Sequence, residues 1–116
     1  MIEQLVSRVF AARNAALREH FRTCSYSQHV ALGEFYEEII EAIDAVVEVH
    51  QGCMGLIGPF TVVDVKTDTI TSYILAEATW IESNRAKFSS SPAVQNRIDD
   101  LTAIYHRTHS KLMQLR

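Results

Sequence analysis

The chain has little of anything that breaks up a compact helical fold. Its 116 residues include 4 glycines, 2 prolines, 2 cysteines and one tryptophan. So few breakers, with 47% apolar and 22% charged residues, exclude a disordered or collagen-like chain and fit a single domain spanning residues 1–116 around one core. Cys24 and Cys53 lack CxxC spacing and are too few for a disulfide framework, so both are expected as reduced thiols. No run reaches the ~18 apolar residues of a membrane span. The opening stretch MIEQLVSRVFAARNAALREHF is amphipathic from its first residues, unlike a signal peptide, and a cytoplasmic location is expected. Basic charge is also scarce. With 11 Lys and Arg against 14 Asp and Glu, a net charge of −3 and no lysine-rich arm, charge gives no support to DNA or RNA binding, which rests largely on phosphate neutralisation. GCMGLIGPF has neither the spacing nor the lysine of a phosphate loop, and no serine nucleophile signature occurs.

What is present is helical periodicity. Ile2, Leu5, Val6, Val9, Phe10, Arg13, Leu17, His20 and Phe21 recur at spacings of three and four and predict a first helix ending near Thr23. Ser25 or Ser27 is a candidate cap for a second helix over about Gln28 to His50. Its wide apolar face holds Leu32, Phe35, Tyr36, Ile39, Ile40, Ile43, Val46 and Val47, and Gly52 and Gly55 signal its stop. Residues 52–66, GCMGLIGPFTVVDVK, form the longest irregular connection, and its apolar content predicts that it lies across the protein. TVVDV within it reads as loop or short strand. Thr67 or Asp68 is a candidate cap for a third helix carrying Ile70, Tyr73, Ile74, Glu77, Trp80, Ile81 and Phe88 and ending before SSSP. Ser91-Pro92 starts a fourth helix with Val94, Ile98, Leu101, Tyr105, Thr108, Leu112 and Leu115 on its seam. The expected fold is all-α, a four-helix bundle of two hairpins joined by a long crossover between the second and third helices, the ferritin-like arrangement.

Three polar residues on the second helix need an explanation. His29 and Asp44 are 15 residues apart, about 22 Å along a helix, whereas a metal ion holds its ligands within ~2.0–2.6 Å. One chain therefore cannot use both on one ion. Two copies of the helix packed antiparallel about a two-fold axis near Glu37 and Glu38 bring His29 of one copy to Asp44 and Glu48 of the other, twice. His20, at the end of the first helix, falls at the same end of the hairpin as His29. Two imidazoles and two carboxylates suit Fe(II), Mn(II) or Zn(II).

The pattern His-x(14)-Asp-x(3)-Glu, with an upstream histidine followed by an aromatic, resembles the Dps miniferritins over about residues 15–51. The resemblance implies that His20 and His29 of one subunit and Asp44 and Glu48 of its two-fold mate bind iron, and that the site oxidises Fe(II) with oxygen or hydrogen peroxide for iron storage or oxidative protection. It also implies a homodimer through the second helix, or a higher homo-oligomer. Phe21 stands where that family has a tryptophan, and Gly33 where it has another aspartate. The basic tail with which some members bind DNA is missing. A different reading keeps the bundle as a non-catalytic assembly or interaction protein with a decayed metal site. Weaker candidates are His106 with His109, and Glu77 with His106 inside one bundle, while Tyr36 and Trp80 read as core aromatics.

Overall fold

The computed structural model describes residues 1–67 and 69–114. Four helices follow in order: α1 (Ile2–Arg22), α2 (Tyr26–Met54), α3 (Ile70–Phe88) and α4 (Pro92–Gln114). Among the described residues there is no strand, and TVVDV is irregular chain. Ser25 caps α2, its Oγ accepting from Gln28 N. The helix continues past Gly52 and stops at Gly55, whose φ of 95° favours a residue without a Cβ. α3 begins after Thr69, whose N–H donates to Thr67 Oγ1. The candidate cap Asp68 and the seam residue Leu115 lie outside the described residues.

The packing decides the topology. α1 packs on α2 and α3, and α4 packs on α2 and α3, whereas among the described residues the diagonal pairs do not meet. Lys111 and Arg107 pair with Glu34 and Glu38, and Arg85 pairs with Asp99, so α4 runs antiparallel to both α2 and α3. α2 and α3 are therefore parallel, which requires the chain between them to travel the length of the bundle. It does so along α1. Gly58 N donates to Glu3 at 3.1 Å, Ser7 Oγ to Thr61 O, Asn14 Nδ2 to Asp64 at 3.1 Å and Arg18 Nη2 to Val65 O at 3.0 Å. Residues 3, 7, 14 and 18 share one helical face, a polar stripe that periodicity alone assigns to water.

The core follows the expected stripes on α2, α3 and α4. Leu32, Phe35, Ile39, Ile43, Val46, Ile74, Ile81, Val94, Ile98, Leu101, Tyr105, Thr108 and Leu112 are all buried. α1 departs from expectation in its second half, where Ala12, Ala15 and Ala16 are buried while Phe21 is 73% exposed. Small side chains let the backbones approach there, and the larger Phe10 turns aside to stack on Phe60 of the crossover at 5.9 Å.

A histidine clamp as the candidate site

The turn between α1 and α2 is only three residues, 23–25, so the last turn of α1 and the first of α2 lie side by side. Within it Thr23 Oγ1 donates to Gln28 and accepts from Ser25 N. This fixes where the two flanking histidines point. The imidazoles of His20 and His29 stack with centroids 3.7 Å apart and planes inclined by 17°. His20 Nδ1 donates to His29 O at 2.6 Å, and His29 Nδ1 donates to His20 O at 2.8 Å. The carbonyl of His20 is among the last four of α1, which have no helical partner, so His29 caps that end. Because each Nδ1 carries its proton toward a carbonyl, the neutral imidazoles have their lone pairs at Nε2.

Gly33 belongs to this arrangement. A Cβ built on it would stand 3.1 Å from Cε1 and 3.4 Å from Nδ1 of His20. The missing side chain at this position makes room for the imidazole of the adjoining helix. Tyr36 closes the far side, its ring edge-on to His20 at 5.4 Å. Phe21 and Tyr26, at 73% and 81% exposure, flank the pair from the solvent side.

Asp44 and Glu48 lie elsewhere. α2 is continuous from residue 26 to 54, so both carboxylates stand more than four turns from His29 and are exposed. Among the described residues no three His, Cys, Asp or Glu side chains of one chain come together as a metal group. The stack also limits what it can hold. Planes 3.7 Å apart at the ring centroids and inclined by 17° converge on the order of 10 Å away, far beyond a metal–nitrogen bond of ~2.0–2.1 Å. In this conformation a given ion can take Nε2 of one ring, and taking both requires the stack to open.

The other polar candidates separate. His106 pairs with Glu82 and not with Glu77, and His109 sits half-buried at the edge of the seam. Glu77 is instead held by Arg8, whose Nε and Nη2 donate to it at 3.0 and 2.7 Å, while the guanidinium lies 3.8 Å from the centre of the Trp80 ring. Arg8 was not singled out from the sequence. The available signal was a lone acid on the apolar stripe of one helix, which demands a cation from a neighbouring one. Nearby, the Tyr73 hydroxyl is sealed from solvent without a hydrogen-bond partner. Burial, and next the charge of Glu77, push its ionisation far above the usual range. Cys24 and Cys53 are free and exposed. No described helix is long and apolar enough to cross a membrane.

No curated protein and no solved structure matches the chain. A family model does match residues 20–112, a span that begins at His20 and takes in His29, Asp44 and Glu48, and the chain therefore belongs to that family of unknown function (DUF5856).

Proposed function

We propose that the chain is a ferritin-like four-helix protein that binds a divalent transition metal, iron, manganese or zinc, between two copies of itself. In this reading Nε2 of His29 or His20 on one copy, and Asp44 and Glu48 on the other, are the ligands. The observation that supports it is the tautomer of the pair. Imidazoles whose Nδ1–H is tied to a carbonyl present an oriented Nε2 lone pair, the usual preparation of a histidine ligand. The crossover topology agrees with the ferritin-like arrangement. A bound iron would supply Fe(II) oxidation. The chain's own residues set the ligand directions and, through Gly33, keep the approach to His20 free of a side chain.

The electrostatics of the outer face of α2 add a condition. Glu37, Glu41, Asp44 and Glu48 share one face, and among the described residues none of them is in an ion pair. Two such faces packed antiparallel repel unless cations sit between them. Self-association in this reading therefore depends on metal. Sedimentation at micromolar concentration tests it. Wild type is a monomer with chelator and a dimer or larger with Mn(II), Zn(II) or anaerobic Fe(II), while His29→Ala and Asp44→Asn remain monomeric. Air or peroxide added to the Fe(II) form then gives ferric absorbance in wild type alone. A monomer under every metal condition defeats the proposal.

A second reading has its own supporting observation. The two imidazoles already tie the last turn of α1 to the first turn of α2, so they work as a structural clamp without any metal. A non-catalytic bundle of this kind would show unchanged stability on metal addition.

A further inference from the structure

A groove of about 820 Å³ opens between α1, α3 and the crossover, a size within the ~300–1,000 Å³ of small-molecule sites, and the metal reading gives it no part. Its floor is Arg8. One face of the guanidinium is covered by Trp80 at 3.8 Å, and one edge is held in plane by Glu77 through two hydrogen bonds. The Arg8 side chain nevertheless keeps 41% of its exposure. Trp80 covers one face and Glu77 takes the Nε–Nη2 edge, and among the described residues Nη1 makes no hydrogen bond. The opposite wall comes from the crossover, where Phe60 is 41% and Val63 71% exposed. With Pro59 and Val65 they give the groove an apolar wall.

The charges restrict the ligand further. Glu77 offsets Arg8, and Glu3 adds a carboxylate at the rim, so a free anion gains little here. A flat electron-rich ring gains most, because the cation attracts its face. We propose that this groove binds a small, uncharged, planar aromatic molecule bearing a carbonyl-type acceptor. The ring stacks on the open face of Arg8, opposite Trp80, with Phe60 and Val63 against its other side. The acceptor takes a hydrogen from Nη1.

Trp80 is the only tryptophan, so its indole N–H gives a single signal in a ¹⁵N-labelled sample and reports on the groove directly. The full chain is titrated with 2-indanone, whose carbonyl is not conjugated with the ring, and with its fully saturated ketone, which keeps the carbonyl and loses the aromatic face. A ketone of this size binds with a Kd on the order of millimolar. The expected result is a saturable shift of the Trp80 signal, with 2-indanone binding at least ~3-fold more tightly, the ratio a cation–π contact of this kind supplies. Phe60→Ser weakens both ligands. Arg8→Met/Glu77→Leu replaces the ion pair with apolar side chains, keeps the fold and removes the aromatic preference. Arg8→Gln, which keeps a flat donor without the charge, removes it as well and serves if the double variant does not fold. The proposal is overturned by the absence of a saturable shift up to about 10 mM, by equal affinities in wild type, by a preference that survives both Arg8 variants, or by Phe60→Ser binding as wild type does.

Discussion

His20 and His29 each donate an Nδ1 proton to the other's backbone carbonyl while their rings stack at 3.7 Å. Removing either ring loses its own hydrogen bond and the shared stack, and removing His29 also uncaps the end of α1. The losses overlap, so they are not additive. His20→Ala and His29→Ala are each expected to cost about 1–3 kcal/mol in urea unfolding. The double variant should fall short of the sum by at least about 0.5 kcal/mol. Strict additivity would mean that the two rings do not act as one clamp.

Gly33 offers a separate test of the same contact. In an exposed helix interior Gly→Ala stabilises by about 1 kcal/mol. Here the new Cβ meets His20 Cε1 at 3.1 Å, closer than ordinary contact, and the ring is held by its hydrogen bond and its stack. Gly33→Ala is expected to yield much less than the full gain in wild type and about 1 kcal/mol when introduced into His20→Ala. Thermal or urea unfolding of the four chains decides it. The same gain in both backgrounds would separate Gly33 from the histidine.

These two residues also indicate what could be read before the fold was known. The helices were legible because Leu32, Ile39 and Ile43, or Val94, Ile98 and Leu101, repeat at the helical period, and the cap at Ser25 and the helix start at Pro92 follow from local chemistry. The length of the 52–66 segment pointed to a crossover. Its track along Glu3, Ser7, Asn14 and Arg18 was not legible, since a polar stripe against irregular chain has the same pattern as one against water. Nor was the place of Gly33, because a missing side chain carries no periodicity and its meaning depends on the ring packed against it from another helix. Phe21 misled for the opposite reason: its spacing fits the stripe, but the bundle face of α1 turns toward the alanines.

The Arg8–Glu77 pair predicts an asymmetry. The Glu77 side chain is 9% exposed and that of Arg8 41%. Losing Glu77 leaves a cation that can turn toward water, whereas losing Arg8 strands a carboxylate in the interior. Arg8→Met is therefore expected to destabilise by about 3 kcal/mol and Glu77→Leu by less, with Arg8→Met/Glu77→Leu recovering most of the loss. Urea midpoints rank the three. A larger cost for Glu77→Leu would show that the carboxylate reaches solvent without its partner.

Neutralising the outer face of α2 should loosen the metal requirement for self-association. Of the four unpaired acids on this face, Glu37 and Glu41 lie nearer the two-fold axis of the proposed dimer than Asp44 and Glu48 do, and they contribute no ligand to it. Glu37→Gln/Glu41→Gln removes four charges from the pair of faces while leaving Asp44 and Glu48 in place. In the presence of chelator this variant is expected to show a measurable dimer by sedimentation at concentrations where wild type is monomeric, most clearly at low salt, where like-charge repulsion is least screened. A variant as monomeric as wild type would show that repulsion along this stripe is not what holds the copies apart.

Acid should separate the α3–α4 hairpin from the clamp. Arg85 donates Nε and Nη2 to the two carboxylate oxygens of Asp99 at 2.6 and 2.8 Å. These bonds hold the Asp99 carboxyl below its ordinary value of 3.8, and the neighbouring charge of Arg85 adds to the effect. A carboxylate depressed in the folded state adds stability above its unfolded pKa, and that stability is lost as pH falls through the folded one. Both side chains are partly exposed, at 38% and 50%, so water and salt screen the pair and its contribution is small. Asp99→Asn is expected to lower the Tm slightly at pH 7. The gap to wild type should stay constant down to about pH 4 and close as the pH falls below the ordinary carboxylate value. Salt at neutral pH should narrow the same gap without changing the Tm difference between wild type and His20→Ala, whose hydrogen bonds end on neutral carbonyls. A gap between Asp99→Asn and wild type that persists unchanged at pH 2 would show that Asp99 acts through packing and not through its charge.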